Sequence, residues 1–325
     1  MENLIKELCE SFGPSGKEDQ VREIIISKIK AYTDSIEIDK MGNIIAVKEG
    51  PGEKLMLAAH MDEIGIIVTS IDDNGFLRFS NVGGISHFNL LGERVIFSDG
   101  TVGVFGKEKI DDIKDLKLNK LFIDIGAKSK EEAEKKVQIG DMGVIFHDCR
   151  IANNHIISKA LDDRVGCAVL IKTLQTTQRP KYKTYFVFTV QEEVGLRGAK
   201  TSAYKIDPDL AVAVDVTLTG DTPEAPKMAV ELGKGPAIKI KDRSVICHPK
   251  VKDALIDAAR RKNIQYQLEV LEMGGTDSGA IHITRSGVPS GGLSIPTRYV
   301  HTPSEMANLT DIKQCVQLLV SMIDN

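Results

Sequence analysis

Histidine and carboxylate side chains stand close to the ends of several predicted strands, where they could act together on a substrate. In chain order these residues are His60, Asp62, Asp162, Glu192, Glu193, Asp215 and His301. The apolar segments LMLAAH, TYFVFTV, LAVAVDV and GLSIP end at or shortly before most of them, while Asp162 stands where a loop meets a predicted helix. Ligands of open α/β sheets gather beyond the carboxyl ends of the strands, so we expect these side chains to meet at one rim.

Two histidines and several carboxylates match the ligand set of a hydrolytic zinc or cobalt site, because imidazole and carboxylate suit such borderline ions. The number of acids fits two ions. Asp162, Glu193 and Asp215 supply three negative charges against four from two divalent cations, and a bridging hydroxide would bring the site to neutrality. Glu192 is left over, and a carboxylate beside a ligand is suitably placed to take a proton from water.

Each of these motifs alone has a structural alternative. The His60-Met61-Asp62 segment could be a solvated turn, and His301 could be a partly buried histidine bonded to the backbone. The Asp162-Asp163-Arg164 segment could cap a helix and form a local ion pair, since carboxylates there stabilise the first turn by about 0.3 to 1 kcal/mol. The Glu192-Glu193 pair could be a charged loop, although adjacent carboxylates repel each other unless a cation lies nearby. The combination of these motifs favours the metal site.

The elements that must position these residues alternate between strand and helix patterns in the first and last parts of the chain. Helices are predicted at residues 2–11 and near 17–31, 163–177, 198–205, 250–262 and 277–285, with a last one starting near Thr310. Continuous apolar strands between these helices favour a sheet that is covered on both faces. The sequence therefore predicts an α/β body with a mixed sheet covered by helices on both faces.

The segment from about 67 to 151 has a different pattern. VTSIDDNGFLRFSNV, ERVIFSDGTVGVFG and MGVIFHD are predicted strands, and Asp99-Gly100 is a favoured hairpin turn. One helix is predicted to begin at Ser129, which has capping-box spacing to Glu132. A β-rich block inside an alternating chain indicates an insertion, so we predict a discontinuous catalytic domain, 1–66 and 152–325, and a second domain, 67–151.

The composition argues against several other functions. The 325 residues include 42 Lys plus Arg and 46 Asp plus Glu, and a net charge of -4 leaves no basic face for phosphate backbones. No stretch approaches the roughly 18 to 20 apolar residues of a membrane helix, and the amino end lacks a signal-peptide pattern. The five cysteines form no CxxC pair and are predicted to be reduced. We therefore expect a cytoplasmic protein that binds neither nucleic acid nor membranes.

Six segments in order resemble a known family over essentially the whole chain. The segments are AAHMDEIG, ALDDRVG, QEEVGLRGA, AVDV, GGTDSGA and RYVHTPSE. They are similar to those of the tetrahedral aminopeptidases, the glutamyl aminopeptidase-like di-metal peptidases. This resemblance implies a zinc-peptidase-like catalytic domain with a PDZ-like insert, hydrolysis of the amino-terminal residue of short peptides, and dimer contacts by the insert within a hollow particle of twelve subunits.

The resemblance also implies a role for each candidate residue. Asp162 would bridge two divalent metals, zinc or cobalt, with Glu193 and His301 completing one site and His60 and Asp215 the other. Asp62 would bond the ring of His60, and Glu192 would be the general base and acid. In GGTDSGA, Gly275 and Asp277 could contact the substrate; alternatively, Asp277 could simply cap the helix that follows.

Three other functions remain open. Another di-metal amidase, such as a carboxypeptidase or deacylase, would use the same ligands. A glycoside hydrolase such as an endoglucanase is disfavoured, because its two carboxyls lie about 5 to 9.5 Å apart on opposite sides of the bond, whereas Glu192 and Glu193 are adjacent and the histidines would be unexplained. An inactive scaffold would have no use for Glu192 beside the metals.

Overall fold

The computed structural model describes residues 1–225 and 227–324. Its helices are α1 (Glu2–Glu10), α2 (Asp19–Ile29), α3 (Lys130–Glu134), α4 (Leu161–Thr176), α5 (Arg197–Ile206), α6 (Pro249–Arg261), α7 (Ser278–Ile281) and α8 (Leu309–Ile323). These lie where the sequence predicts them, except that α7 ends earlier than expected. The chain reverses directly after α7, with positive φ angles at Arg285 and Gly287. Across the described residues, no helix combines the length and apolar character that crossing a membrane requires.

The strands form two groups that are separated along the chain. In order they are β1 (Ser35–Ile38), β2 (Ile44–Lys48), β3 (Lys54–His60), β4 (Gly65–Ile71), β5 (Leu77–Val82), β6 (Arg94–Phe97), β7 (Val102–Lys107), β8 (Leu121–Asp124), β9 (Met142–Ile145), β10 (Arg150–Ala152), β11 (His155–Ser158), β12 (Lys183–Thr189), β13 (Leu210–Thr217), β14 (Ala237–Lys241), β15 (Gln267–Val270), β16 (Ser290–Arg298) and β17 (Glu305–Asn308).

The larger sheet is mixed, with a parallel centre. Its order is β1-β2-β12-β3-β13-β16-β17-β11-β10, and β14 pairs with β16 and with β15. The strands β12, β3, β13 and β16 are parallel to one another, and antiparallel strands flank them. The predicted α/β class and the mixed sheet are confirmed. The parallel centre brings four carboxyl ends to one edge.

Alternate side chains of β3 pack into two different apolar clusters, because successive residues of a strand face opposite sides. Leu55 and Leu57 belong to the large cluster, which also contains the apolar residues of α4 and α8. Met56 and Ala58 belong to a smaller cluster with Ala199 of α5. Both faces of this strand are therefore buried, which explains its continuous apolar sequence.

A closed barrel occupies the middle of the chain. Residues 65–145, all of them described, contain six strands paired in the order β4-β5-β8-β7-β6-β9, and β9 returns to β4. The barrel has an apolar core of its own, in which the rings of Phe79 and Phe105 meet edge to face at 5.2 Å. The predicted Asp99-Gly100 turn joins β6 to β7, with Gly100 at φ +89°.

Candidate metal centre

The predicted histidines and carboxylates converge at the carboxyl edge of the parallel strands. His60 is the last residue of β3, Asp215 lies near the end of β13, and the Glu192-Glu193 pair follows β12. Because parallel strands end at the same edge of a sheet, residues far apart in sequence meet here. In the register His60 lies opposite Thr189, the last residue of β12.

Asp162 lies between the two histidines. Its Oδ1 is 3.0 Å from Nε2 of His60, and its Oδ2 is 3.2 Å from Nε2 of His301. Three groups of three side chains have ligand atoms within 4.8 Å of one another: His60 with Asp162 and Asp215, Asp162 with Glu193 and His301, and His60 with Glu192 and Glu193. Asp162 is common to the first two groups, so each of its oxygens faces a different set of partners.

The contact between Glu193 and His301 fits two ligands of one ion better than a hydrogen bond. Oε1 of Glu193 is 2.9 Å from Nε2 of His301. The same buried oxygen nevertheless has no hydrogen-bond partner of acceptable geometry. Buried polar atoms are normally satisfied, so this atom indicates a missing positive partner. Imidazole nitrogen with carboxylate oxygen is the donor set that zinc and cobalt accept.

The electrostatics of the cluster agree with this reading. Burial raises the pKa of Glu192 and of Asp215 well above the ordinary range, neighbouring carboxylates add to the shift, and His60 only partly opposes it. Burial alone would lower the pKa of His301, but the carboxylates of Asp162 and Glu193 outweigh it and raise that pKa to about 12. The acids therefore carry more negative charge than the imidazoles neutralise easily, and divalent cations would stabilise their ionised forms.

Asp62 holds the backbone that carries the paired glutamates. Its carboxylate accepts hydrogen bonds from the amides of Glu192 and Glu193, at 3.0 and 3.1 Å, and from Oγ of Ser15 at 2.6 Å. Nδ1 of His60 lies 3.1 Å from the backbone oxygen of Asp62 and 3.5 Å from its Oδ1. The hydrogen bond that joins Asp62 to the ring is thus made by the backbone oxygen of Asp62, while its carboxylate orients the loop after β12.

The Asp163-Arg164 segment has a structural role. Oδ1 of Asp163 accepts from the amide of Gly166, which caps the first turn of α4, and Oδ2 accepts from the amide of His60. Arg164 donates to Glu63 at 3.1 Å and to the carbonyls of residues 8, 11 and 13. The capping alternative is therefore confirmed for Asp163, whereas the local ion pair of Arg164 is wrong, because its acidic partner is distant in sequence.

Glu305 was not anticipated from the sequence. This buried residue opens β17, and its carboxylate accepts from the amide of His301 at 2.7 Å and from the amide of Asp162 at 2.9 Å. Burial, followed by the charge of Asp162, raises its pKa to about 8. The signal in RYVHTPSE was an acid four residues after a candidate ligand. Glu305 therefore links the backbone of Asp162 to that of His301, two of the candidate ligands of one predicted ion.

The barrel also reaches the site, which the sequence did not reveal. A Cβ built on Gly84 would lie 3.0 Å from Nδ1 of His301, and one built on Gly83 would lie 3.1 Å from Cβ of Glu193. Gly83 has φ +78°, a conformation that favours glycine. The loop after β5 therefore forms a wall of the site through its backbone, although none of the candidate ligands belongs to the barrel.

The site opens into a cavity of about 560 Å³. Its walls include all five candidate ligands, Glu192, and the segment 274–276. Gly275 is in this wall, whereas Asp277 is not; its Oδ2 accepts from Oγ1 of Thr189 at 2.6 Å. The alternative that the Asp277 side chain caps α7 is wrong, since it makes no capping hydrogen bond.

A cavity of histidines and carboxylates at the carboxyl edge of a parallel sheet defines the class of metal-dependent hydrolases. Comparison with known proteins gives the particular family. The family described as M42 glutamyl aminopeptidase matches residues 42–318, and the chain belongs to it. The protein is therefore a peptidase of the metallopeptidase class.

Individual relatives support this assignment over the full chain. A putative aminopeptidase of Acetivibrio thermocellus is 56% identical, with 99% of this chain and 98% of the relative covered. The solved aminopeptidase APDkam598 of Desulfurococcus kamchatkensis is 42% identical with a TM-score of 0.96, covering 99% and 94%. The Pyrococcus horikoshii TET1 peptidase, described as assembling into a tetrahedron or a large octahedral shell, is 34% identical with a TM-score of 0.90, covering 99% of each chain.

Proposed function

We propose that this chain is a di-metal aminopeptidase that removes the amino-terminal residue of short peptides. The observation that carries the proposal is the position of Asp162, whose two oxygens face the imidazoles of His60 and His301. One ion would be held by Asp162, His60 and Asp215, and the other by Asp162, Glu193 and His301. When bound, two divalent ions, zinc or cobalt, would polarise the scissile carbonyl and lower the pKa of water.

The protein side chains then divide the remaining work. Glu192 is in neither of the two groups that share Asp162, although its carboxylate does group with His60 and Glu193; it lines the cavity, and its Oε2 is 3.9 Å from Nε2 of His60. We assign Glu192 as the general base that accepts a proton from the attacking water and returns it to the leaving amine. Its burial raises its pKa, which favours proton uptake. Asp62 is a positioning residue for the loop that carries Glu192.

The assembly, the domain boundaries and the location are part of the same proposal. The P. horikoshii relative assembles into closed shells, and we propose that this chain forms a dodecamer built from dimers through a PDZ-like domain at residues 67–151. Exposed apolar side chains on the barrel, such as Val102, Val104 and Ile139, support a surface that is covered in an assembly. Residues 1–66 and 152–325 would form the catalytic domain, and we propose a cytoplasmic location.

The experiment must separate the proposed activity from its alternatives. Metal-loaded protein should hydrolyse leucyl-anilide with a free amine and leave the acetylated analogue intact. Equal hydrolysis of both anilides would contradict an aminopeptidase and favour a deacylase or another amidase. Cleavage of carboxymethylcellulose alone would favour an endoglucanase, and tight metal binding with no hydrolysis of any substrate would favour a scaffold.

A further inference from the structure

One lysine stands in the wall of the catalytic cavity, and two buried acids lie beside its ammonium group. Among the described residues that line the cavity, Lys239 of β14 is the one Lys or Arg. Its Nζ contacts Oε1 of Glu269 and lies 3.6 Å from Oδ2 of Asp242. The three residues are buried, with exposed fractions of 1%, 0% and 1%. Two carboxylates therefore face one ammonium group in a region from which bulk water is excluded.

Thr217 links this cluster to the part of the cavity wall beside the candidate ligand Asp215. Thr217 follows the candidate ligand Asp215 by two residues, lines the cavity, and donates from Oγ1 to Oε1 of Glu269 at 2.9 Å. The side chain of a residue whose carbonyl lies at the metals must enter the cavity beside them. The part of the wall that starts at Asp215 is therefore within reach of that side chain.

The position of Glu269 is fixed by more than the lysine. Its Oε1 receives the Thr217 hydroxyl, while its Oε2 has no hydrogen-bond partner among the described residues. Asp242 is held by the amides of Ser244 and Val245 through Oδ1, and its Oδ2 is likewise unpartnered. Neither carboxylate lines the cavity, whereas Lys239 does. The lysine therefore borders the cavity, and the two acids that pair with it do not.

An incoming charged side chain finds no partner in this arrangement. An acidic side chain would meet an ammonium group that two buried carboxylates already neutralise, and would add a third negative charge. A basic side chain would meet the ammonium group of Lys239 before either carboxylate. The neighbouring walls are apolar, with Leu218, Leu271 and Met273. Burying an unpaired charge is costly, whereas apolar side chains gain from burial.

We infer that the peptides cleaved carry a neutral, apolar amino-terminal residue such as leucine or methionine, and that Glu269 determines this specificity by cancelling the charge of Lys239. This inference rests on the proposed aminopeptidase function. It makes Glu269 a positioning and specificity residue that acts through Lys239 and not on the reacting atoms.

The test compares substrates and variants. Wild-type protein should hydrolyse leucyl- and methionyl-anilides with kcat/KM at least about 100-fold above glutamyl- and lysyl-anilides. Glu269→Gln keeps an acceptor for Thr217 but removes the carboxylate in direct contact with Lys239 and leaves only Asp242 at 3.6 Å. An acidic substrate side chain then meets one negative charge fewer, so the glutamyl to leucyl ratio should rise at least about 10-fold. The double variant Lys239→Met with Glu269→Gln removes that charge again, and its ratio should return to that of the wild type.

Three kinetic results would overturn the inference. The first is wild-type activity on glutamyl- or lysyl-anilide equal to that on leucyl-anilide. The others are an unchanged glutamyl to leucyl ratio in folded Glu269→Gln, and a raised ratio that persists in the double variant. Calorimetric binding of free L-leucine and L-glutamate to the metal-loaded wild type decides the same question without turnover, and tighter binding of glutamate would refute it. If no anilide is cleaved, the aminopeptidase proposal fails, while the binding comparison still decides the nature of the pocket.

Discussion

Replacing Glu305 by alanine tests whether the metal centre depends on a carboxylate that binds no metal. The side chain joins the backbone amides of Asp162 and His301, at 2.9 and 2.7 Å, and it is buried. In the Glu305→Ala variant both amides lose their acceptor. The two residues could then move independently, although each keeps its own side chain.

The expected magnitude follows from these two hydrogen bonds. Leaving a buried donor without its acceptor costs about 1 to 3 kcal/mol, so the gross loss for two amides is on the order of 2 to 6 kcal/mol. Part of it lowers the free energy of unfolding of the metal-free protein. The remainder reduces metal affinity, and the loss of a residue that orients ligands typically costs about 10- to 100-fold. Glu305→Gln keeps one acceptor oxygen and should lie between alanine and the wild type.

The assay is competition for zinc with a chelator of known affinity, together with thermal unfolding with and without metal. The exposed residue Glu231 offers a control, because Glu231→Ala also removes a carboxylate but at a residue that belongs neither to the cavity wall nor to a group of candidate ligands. Zinc affinity should fall in Glu305→Ala and stay unchanged in Glu231→Ala. Wild-type affinity in a folded Glu305→Ala protein would refute the reasoning, since the two amides would then have no part in holding the site.

Three further outcomes are expected from the site. Glu192→Gln should lower kcat by at least about 100-fold with metal content near wild type, as followed by steady-state kinetics and metal analysis; near-normal turnover would exclude Glu192 as the base. Asp162→Ala should lose both ions on dialysis, whereas His60→Ala should weaken one site preferentially, and equal losses on metal titration would count against a bridging carboxylate. Gly84→Val should reduce zinc affinity because a side chain there meets the ring of His301 at about 3.0 Å; unchanged affinity would mean that the barrel loop moves away freely.

The sequence was sufficient to predict the convergence of the candidate ligands, and the structure shows why. Each buried strand appears in the sequence as an uninterrupted run of apolar residues. Because ligands of open α/β sheets gather beyond the carboxyl ends of the strands, His60, Asp215 and the Glu192-Glu193 pair could be placed at one rim. That rule needs the class of fold but not the detailed packing. The same applies to Asp163, whose capping role follows from its place at the start of α4.

Contacts between distant backbone segments could not be predicted in this way. Glu305 acts on amides rather than on side chains, and nothing in residue type distinguishes an acid that accepts two amides from one that faces water. Gly84 approaches His301 only because the barrel docks against the sheet, which is a property of tertiary packing. Asp277 could have been a helix cap from its position in the sequence, but its carboxylate accepts a hydrogen bond from the buried hydroxyl of Thr189 on β12.

The order of the strands in the larger sheet has a consequence for synthesis on the ribosome. β3 carries His60 and lies between β12 and β13, so it has no permanent neighbour until the barrel and α4 have been made. The final predicted ligand, His301, follows β16 and is therefore made after every other candidate ligand. Nascent chains can therefore offer separate ligands but not the complete pair of sites. Ion capture at both sites would require a chain translated past His301, so the cations would stabilise a sheet that has already formed rather than guide its formation.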